Sequence, residues 1–310
     1  MRITHSMMTG TFLANLNRTL SRMGTQQSQL ASNRRITRLS DDPIGTINAL
    51  AIRKKLNRLE QYQKNVSDAQ AWLTQSETAL SDINEVLKSA YEQAIEASND
   101  TMAQVDRDAV ASYIEQLRDH LFQTGNSTFG DKYIFGGNNT TTTPFTYAAD
   151  GTVLYNSVDL GHPTPADLSL LGSQSPSFGI GPGKTIRVSL TGIEVMGHGA
   201  DNLFQVFDGL ISSLRSGDTA GISAGAGTIS RKQNDLLSRM ADIGGQTNRL
   251  EFVTSRYELD RINTRMVQSE IEDIDTAEVI MQYKTAESVY MAALSTGSKI
   301  IQPSLLDFLR

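Results

Sequence analysis

The chain has 310 residues, with 28 Lys and Arg against 34 Asp and Glu, and it carries 1 Trp, 9 Tyr and 10 Phe. At 39% hydrophobic it can bury a sizeable core in more than one domain. It has no cysteine, which excludes disulfides, thiolate nucleophiles and Cys-ligated metal sites together.

Charge and proline are both unevenly placed. Residues 1 to 60 carry ten Lys and Arg against three Asp and Glu, although the whole chain is −6. A basic arm of this kind serves nucleic acid or an anionic membrane, or it is the solvated face of a helix. The absence of interleaved aromatic stacking residues favours the helix face, so no nucleic-acid partner is expected. No segment approaches the roughly 18 apolar residues of a membrane span, and no membrane partner is expected either. Of the seven prolines, Pro43 and Pro303 stand near the ends, and Pro144, Pro163, Pro165, Pro176 and Pro182 crowd into one stretch. The long proline-free runs between them predict long helices flanking an insert of different architecture.

In chain order, Leu13, Leu16, Leu20, Met23 and Leu30 form an apolar stripe with a polar break at Gln27. Val66, Ala69, Leu73, Ser76, Leu80, Ile83, Leu87, Ala90, Ala94 and Ala97 keep a strict three-four spacing, which predicts a helix about 48 Å long with a narrow seam. A second helix is expected from about 102 to 122, pairing with the first as an antiparallel hairpin. From 125 to 199 the chain is rich in glycine, with short alternating segments around Lys132, Phe145, Val153 and Ile186, which predict a small β domain.

Asp201 is the expected N-cap of a helix ending at Gly217. Residues 221 to 227 are expected as a small-residue loop, and Gly244-Gly245 as a kink in the helix that follows. Thr276, Val279, Tyr283, Ala286, Tyr290, Ala293, Gly297 and Ile300 hold the last three-four register, which Pro303 should stop. Isolated helices with one apolar stripe are marginal in water, so the first and last must pack on each other, on the bundle or on another molecule.

Three patterns resemble chemistry and lack its context. Gly221-Ile-Ser-Ala-Gly225 has the spacing of a nucleophile elbow, but all four histidines precede Ser223, which is the wrong order for that triad. Gly179-Ile-Gly-Pro-Gly-Lys-Thr185 imitates a phosphate loop with Phe178 where its first glycine belongs, and reads as a β-turn. The acids Glu270, Glu272, Asp273, Asp275 and Glu278 lack the glycine and ligand periodicity of a calcium loop and read as a solvated or protein-binding face. No catalytic, cofactor or metal residues are expected.

The segment Ala31-Ser-Asn-Arg-Arg-Ile-Thr-Arg-Leu-Ser-Asp-Asp-Pro43 resembles the one that closes the amino-terminal helix in bacterial flagellins and hook-associated proteins, with Arg35, Ile36, Asp41 and Asp42 on the shared positions. Pro43 stands where filament flagellins usually continue with Ala-Ala-Gly, and it suits a helix N1 position after a capping Ser40 or aspartate. Tyr133-Ile-Phe-Gly-Gly137, with Phe135, Gly136 and Gly137, is similar to the family's hinge into its variable domain. The tail from Ser269 through Ser304-Leu-Leu-Asp-Phe-Leu309 is similar to its carboxy-terminal helix.

This resemblance implies a mainly α fold with a small β insert. Residues 1–42 and 271–310 would form an inner coiled coil, 43–137 and 201–270 a helical bundle, and 138–200 an outer β-rich domain. It implies a structural adaptor, not an enzyme, at the hook-filament junction, with hook-associated protein 1, flagellin, further copies of itself and an export chaperone on the carboxy-terminal helix as partners. The alternative within the family is a filament-forming flagellin. Export through the flagellar type III channel, without a cleaved signal, would place it outside the cell. The implied assembly interface is Leu13, Leu16, Leu20, Met23 and Leu30 with Tyr283, Ala286, Tyr290, Ala293 and Leu294. On this reading each terminal stripe meets its partner only in the assembly, and residues 1 to 40 are largely unstructured in the free chain.

Overall fold

The computed structural model describes residues 5–149, 151–173 and 175–300. The expected stop at Pro303 and the Ser304 to Leu309 motif lie outside them. The fold is mainly α with a small β insert. In order the elements are α1 (His5–Ser32), α2 (Pro43–Ala97), α3 (Gln104–Gly125), β1 (Thr128–Phe129), β2 (Lys132–Tyr133), β3 (Phe145–Tyr147), β4 (Val153–Tyr155), β5 (Val158–Asp159), α4 (Pro165–Ser173), β6 (Ser177–Gly181), β7 (Lys184–Arg187), α5 (Gly192–Met196), α6 (Leu203–Ser216), α7 (Thr219–Glu272) and α8 (Thr276–Ile300). Among the described residues the strands form three separate small antiparallel sheets, β1-β2, β3-β4-β5 and β6-β7. Two compact units emerge, Met1–Leu59 with Glu258–Arg310, and Glu60–Tyr257.

In the unit Glu60–Tyr257, all ten positions of the 66 to 97 register are buried on α2. Ser76 joins them because its hydroxyl donates to the Trp72 carbonyl at 2.9 Å, so the polar atom needs no water. Among the helices, α3 packs closely on α6. Phe122 meets Phe204 edge-on, Arg118 pairs with Asp208, and Gln104 Nε2 donates to the carbonyls of Leu214 and Arg215 at 3.0 Å, satisfying the end of α6. The N-cap of α6 is Asn202, whose side chain accepts from Gln205 N at 2.9 Å; Asp201 belongs to a preceding 3-10 turn. Gly217 ends α6 with φ 70°, the left-handed cap that glycine adopts without strain.

One expectation about glycine is corrected in α7. Residues 221 to 227 are helix, and Gly244-Gly245 lie within the same helix. Ile222, Ala226 and Ile229 are buried, and a Cβ on Gly225 would stand 3.3 Å from Leu210 Cδ1. The small residues here permit a close approach to α6, and that burial outweighs their poor helix propensity of up to about 1 kcal/mol each. The 179 to 185 segment is the β6-β7 hairpin, turning at Gly183 with φ 63°. Asn65 Nδ2 donates to the Gly179 carbonyl at 2.7 Å and Tyr257 Oη to that of Ile180, tying the hairpin to α2 and α7.

In the unit Met1–Leu59 with Glu258–Arg310, α1 and α8 pack together as an antiparallel pair. The orientation follows from two contacts, Gln26 to Gln282 and Phe12 to Gly297, in which one number rises as the other falls. α1 is therefore a formed helix with a partner inside the chain, which corrects the expectation that residues 1 to 40 lack structure. Among the described residues no helix is long and apolar enough to cross a membrane.

Candidate assembly interface

The α1-α8 seam is built from a 3.5-residue period on each helix. On α8 the covered positions are Val279, Tyr283, Ala286, Tyr290, Ala293 and Gly297, the register expected from sequence. On α1 they are Phe12, Leu16, Thr19, Met23, Gln26 and Leu30, which divides the expected stripe. Leu16, Met23 and Leu30 face the seam, whereas Leu13 and Leu20 point outward, about half exposed. Leu294 on α8 is also exposed, so the structure brings Leu16, Met23, Leu30, Tyr283, Ala286, Tyr290 and Ala293 into one seam and leaves Leu13, Leu20 and Leu294 outside it.

The reason is that two helices can cover only a narrow a/d stripe on each other, and α1 is apolar over more than that width. The buried polar residue of the seam is Gln26 and not its neighbour Gln27; its Nε2 donates to Gln282 Oε1 at 3.3 Å. A polar pair at one such layer fixes the register of the helices. Gly297 allows Phe12 to lie against the α8 backbone, since a Cβ there would stand 2.3 Å from Phe12 Cζ.

Residues 33 to 42 join α1 to α2 and are stitched to the end of α7. Arg35 N donates to the Glu272 carbonyl at 2.7 Å, and its guanidinium donates to the Ile271 carbonyl at 3.0 and 3.2 Å. These carbonyls close a helix with no later turn to bond them, and a cation is favoured at that negative end. The same guanidinium reaches Asp42 at 3.4 Å. Asp42 is the N-cap of α2: its Oδ1 accepts from Gly45 N at 2.8 Å and its carbonyl from Thr46 N at 2.9 Å, with Pro43 at N1. Gly45 is required there, because a Cβ would lie 2.3 Å from Asp42 Oδ2 and 2.8 Å from Ile36 Cδ1.

Asp41 closes the turn before it, accepting from Arg38 N at 2.8 Å and Thr37 Oγ1 at 3.0 Å. The Arg38 amide and then the Thr37 hydroxyl hold its carboxyl below the usual aspartate value. Sequence reasoning missed Arg53 and Glu272 as partners. Arg53 donates from Nε and Nη2 to the two carboxylate oxygens of Glu272 at 2.7 and 2.8 Å, and the Glu272 bond raises the guanidinium pKa.

The acidic cluster therefore serves structure. Glu272 is buried in this pair, Asp273 accepts from Ser269 at 2.6 Å, and Asp275 caps α8 by accepting from Ala277 N and Glu278 N. Among the described residues no group of His, Asp and Glu could hold a metal ion. Ser223 lies on the exposed side of α7, without the strand-to-helix turn of a nucleophile elbow.

The motif 133 to 137 is a buried node in the other unit. Phe135 O accepts from Tyr155 Oη at 2.7 Å and from Gly192 N at 2.9 Å, while Ile134 O accepts from Ser189 Oγ at 2.8 Å. Gly136 cannot carry a side chain, because a Cβ would lie 2.4 Å from the Asn139 carbonyl; Gly137 has φ 66°. Burial pushes the Tyr155 hydroxyl up to about 12.

A paired terminal coiled coil, an aspartate-capped second helix stitched to the far end of the chain, and a β insert define a helical protein of an assembly-forming type similar to the flagellins. Residues 3–140 match the family described as the bacterial flagellin N-terminal helical region. Flagellar hook-associated protein 3 of Salmonella typhimurium is 24% identical over 100% of both chains. Flagellin of Bacillus subtilis is 26% identical over 91% of this chain and 90% of its own. Among solved structures, a putative flagellar hook-associated protein of Vibrio parahaemolyticus shares the fold, with a TM-score of 0.66 at 21% identity, over 75% of this chain and 100% of its own. The chain is thus similar over most of its length both to hook-associated protein 3 and to flagellins.

Proposed function

We propose that the chain is a structural adaptor subunit of the bacterial flagellum, polymerising at the distal end of the hook and joining hook-associated protein 1 below to flagellin above. The observation that carries this reading is the end-to-end similarity to hook-associated protein 3. The outward ridges of α1 and α8 supply a physical means. Leu13, Leu20 and Leu294 are exposed in the free chain, and burying a leucine contributes about 1.5 to 3 kcal/mol.

In this reading 1–42 and 271–310 form the inner coiled-coil assembly domain, 43–137 and 201–270 the bundle, and 138–200 the outer domain. The seam residues hold the pair together and the outward leucines meet neighbouring subunits. The chain leaves the cell through the flagellar type III channel, with an export chaperone on its carboxy-terminal helix beforehand. In this reading it has no catalytic role.

A filament-forming flagellin is the second reading, favoured by the match to flagellin of Bacillus subtilis. Pro43 at N1 of α2, where filament flagellins usually carry alanine, weighs towards the adaptor. Deleting the chain and restoring it in labelled form separates the two. Secreted but unattached flagellin, with label restored at the hook tip, supports the adaptor. Label along the whole filament supports the flagellin, and normal filaments without the chain overturn both.

A further inference from the structure

Two ridges of exposed side chains in the unit Met1–Leu59 with Glu258–Arg310 lie outside the α1-α8 seam. On α2 the ridge is Ile44, Ile47, Ala51, Lys55 and Arg58. At the end of α7 it is Leu259, Ile262, Met266, Glu270 and Asp273. Ile44 and Ile47 are 74 and 65% exposed, and the three apolar residues on α7 are 52 to 63% exposed. Both ridges advance by three, four, four and three residues, so each is one helix face about 21 Å long. Asp273 follows the last residue of α7, and its N–H still bonds the Ser269 carbonyl at 2.9 Å, which keeps it on the helical path.

The charges on these ridges are unanswered within the chain. Among the described residues Lys55, Arg58 and Glu270 make no side-chain hydrogen bond or ion pair, and Asp273 accepts from the neutral Ser269 hydroxyl. From their amino ends both ridges run from apolar to charged, with cations on α2 and anions on α7. Laid parallel with 44 opposite 259, every later pair keeps the same offset of 215, which is 259 minus 44. Ile44 then meets Leu259, Ile47 meets Ile262, and the small Ala51 meets the long Met266. Lys55 meets Glu270, and Arg58 meets Asp273. Laid antiparallel about the same centre, Lys55 and Arg58 would press on Ile262 and Leu259, and the two acids on Ile47 and Ile44, burying charge against apolar surface.

We propose that these ridges dock two copies of this chain on each other, the α2 ridge of one lying parallel to the α7 ridge of the other. The apolar pairs exclude water, and the opposite charges set direction and register, as flanking charges do in coiled coils. The contact uses none of Leu13, Leu20 and Leu294 and belongs to the free chain, so it goes beyond the adaptor reading and does not depend on it. A contact of a few apolar pairs with exposed ion pairs is modest, with a dissociation constant on the order of tens of micromolar.

Sedimentation velocity of the full chain tests the pairing. The native chain should gain mass with concentration, and salt at about 0.5 M should weaken the association several-fold by screening the charged end. Lys55→Glu and Glu270→Lys should each weaken it about tenfold, because like charges then face each other. An equimolar mixture of these two variants should recover native association, because each contact of a mixed pair again joins opposite charges. Leu13→Asp should associate as the native chain does. The chain has no cysteine, so thiols can be placed singly. Ile47→Cys mixed with Ile262→Cys should form a disulfide between copies, and Ile47→Cys mixed with Ser269→Cys, beside its antiparallel counterpart, should not.

A native chain that stays monomeric at about 0.2 mM, well above that constant, leaves the ridges to another partner and overturns the inference. A mixture that fails to recover, equal weakening by Leu13→Asp, or readier cross-linking to position 269 than to 262 overturns it too. If a charge variant loses helix by circular dichroism, the cross-link between the cysteine variants decides. None of these outcomes bears on the adaptor reading, which hook attachment tests separately.

Discussion

Arg53 and Glu272, 219 residues apart in sequence, form a two-bonded ion pair in which the carboxylate side chain is 4% exposed and the guanidinium 41%. Arg53→Ala leaves a buried carboxylate with only a weak bond from Gln268 at 3.4 Å. A fully buried pair would lose about 3 to 5 kcal/mol, and partial exposure of Arg53 brings the expected loss to about 2 kcal/mol. Hydrogen exchange should rise at the amides of Arg35 and Thr46. Arg53→Lys should recover only part of the protection, because a point charge cannot make both bonds. Unchanged exchange in Arg53→Ala would show that the pair contributes nothing to the stitch.

Leu16 and Leu13 differ by three positions and have opposite roles in the α1-α8 pair. Leu16→Asp puts a charge into the seam and should melt α1 in the free chain, seen as lost helical signal in far-UV circular dichroism. Leu13→Asp and Leu294→Asp should leave the free chain intact and abolish hook binding, since their side chains are exposed until assembly. Equal loss of helix in all three variants would contradict the division of the stripe.

At Gly297 two effects oppose each other. Alanine gains up to about 1 kcal/mol of helix propensity over glycine, while overpacking against Phe12 costs about 1 to 3 kcal/mol. Gly297→Ala should therefore be mildly destabilising. The sign should change when Phe12→Ala makes room, measured as the coupling in a double-mutant cycle on α1 exchange. Additivity of the two changes would mean that the residues do not touch.

Tyr155 makes the outer node sensitive to alkali. Its folded value of about 12 is raised from 10.0 mainly by burial, so the folded chain keeps the proton after the unfolded chain has released it. The associated stability is complete below about pH 10 and falls as pH rises towards 12, by about 2 to 3 kcal/mol at most. Tyr155→Phe should remove that slope and cost about 1 kcal/mol at neutral pH, because Gly192 N keeps its bond to the Phe135 carbonyl. Urea unfolding across that pH range, followed by signals from residues 60–257, tests both parts.

Much of the fold is legible in the chain itself, and the successes have a common cause. The ten-position register of α2 and the seam face of α8 follow from a period that any helix must present, whatever it packs against. Asp42 and Pro43 announce a helix start because capping is satisfied within a few residues. The errors also share a cause. Residues 221 to 227 look like a loop by propensity and become helix because Ile222, Ala226 and Ile229 are buried on packing. The α1 stripe is wider than one partner can cover, so composition alone could not say which leucines turn inward.

What the sequence by itself determined is therefore local: long helices, their starts, an insert bounded by glycine and proline, and an absence of thiol chemistry. The tertiary structure decided the pairings across long separations. These include Arg35 and Arg53 on the end of α7, Gln26 opposite Gln282, and Phe12 against Gly297. Such contacts depend on which surfaces meet once the chain has turned back on itself, and nothing within a helical turn of either partner encodes that meeting.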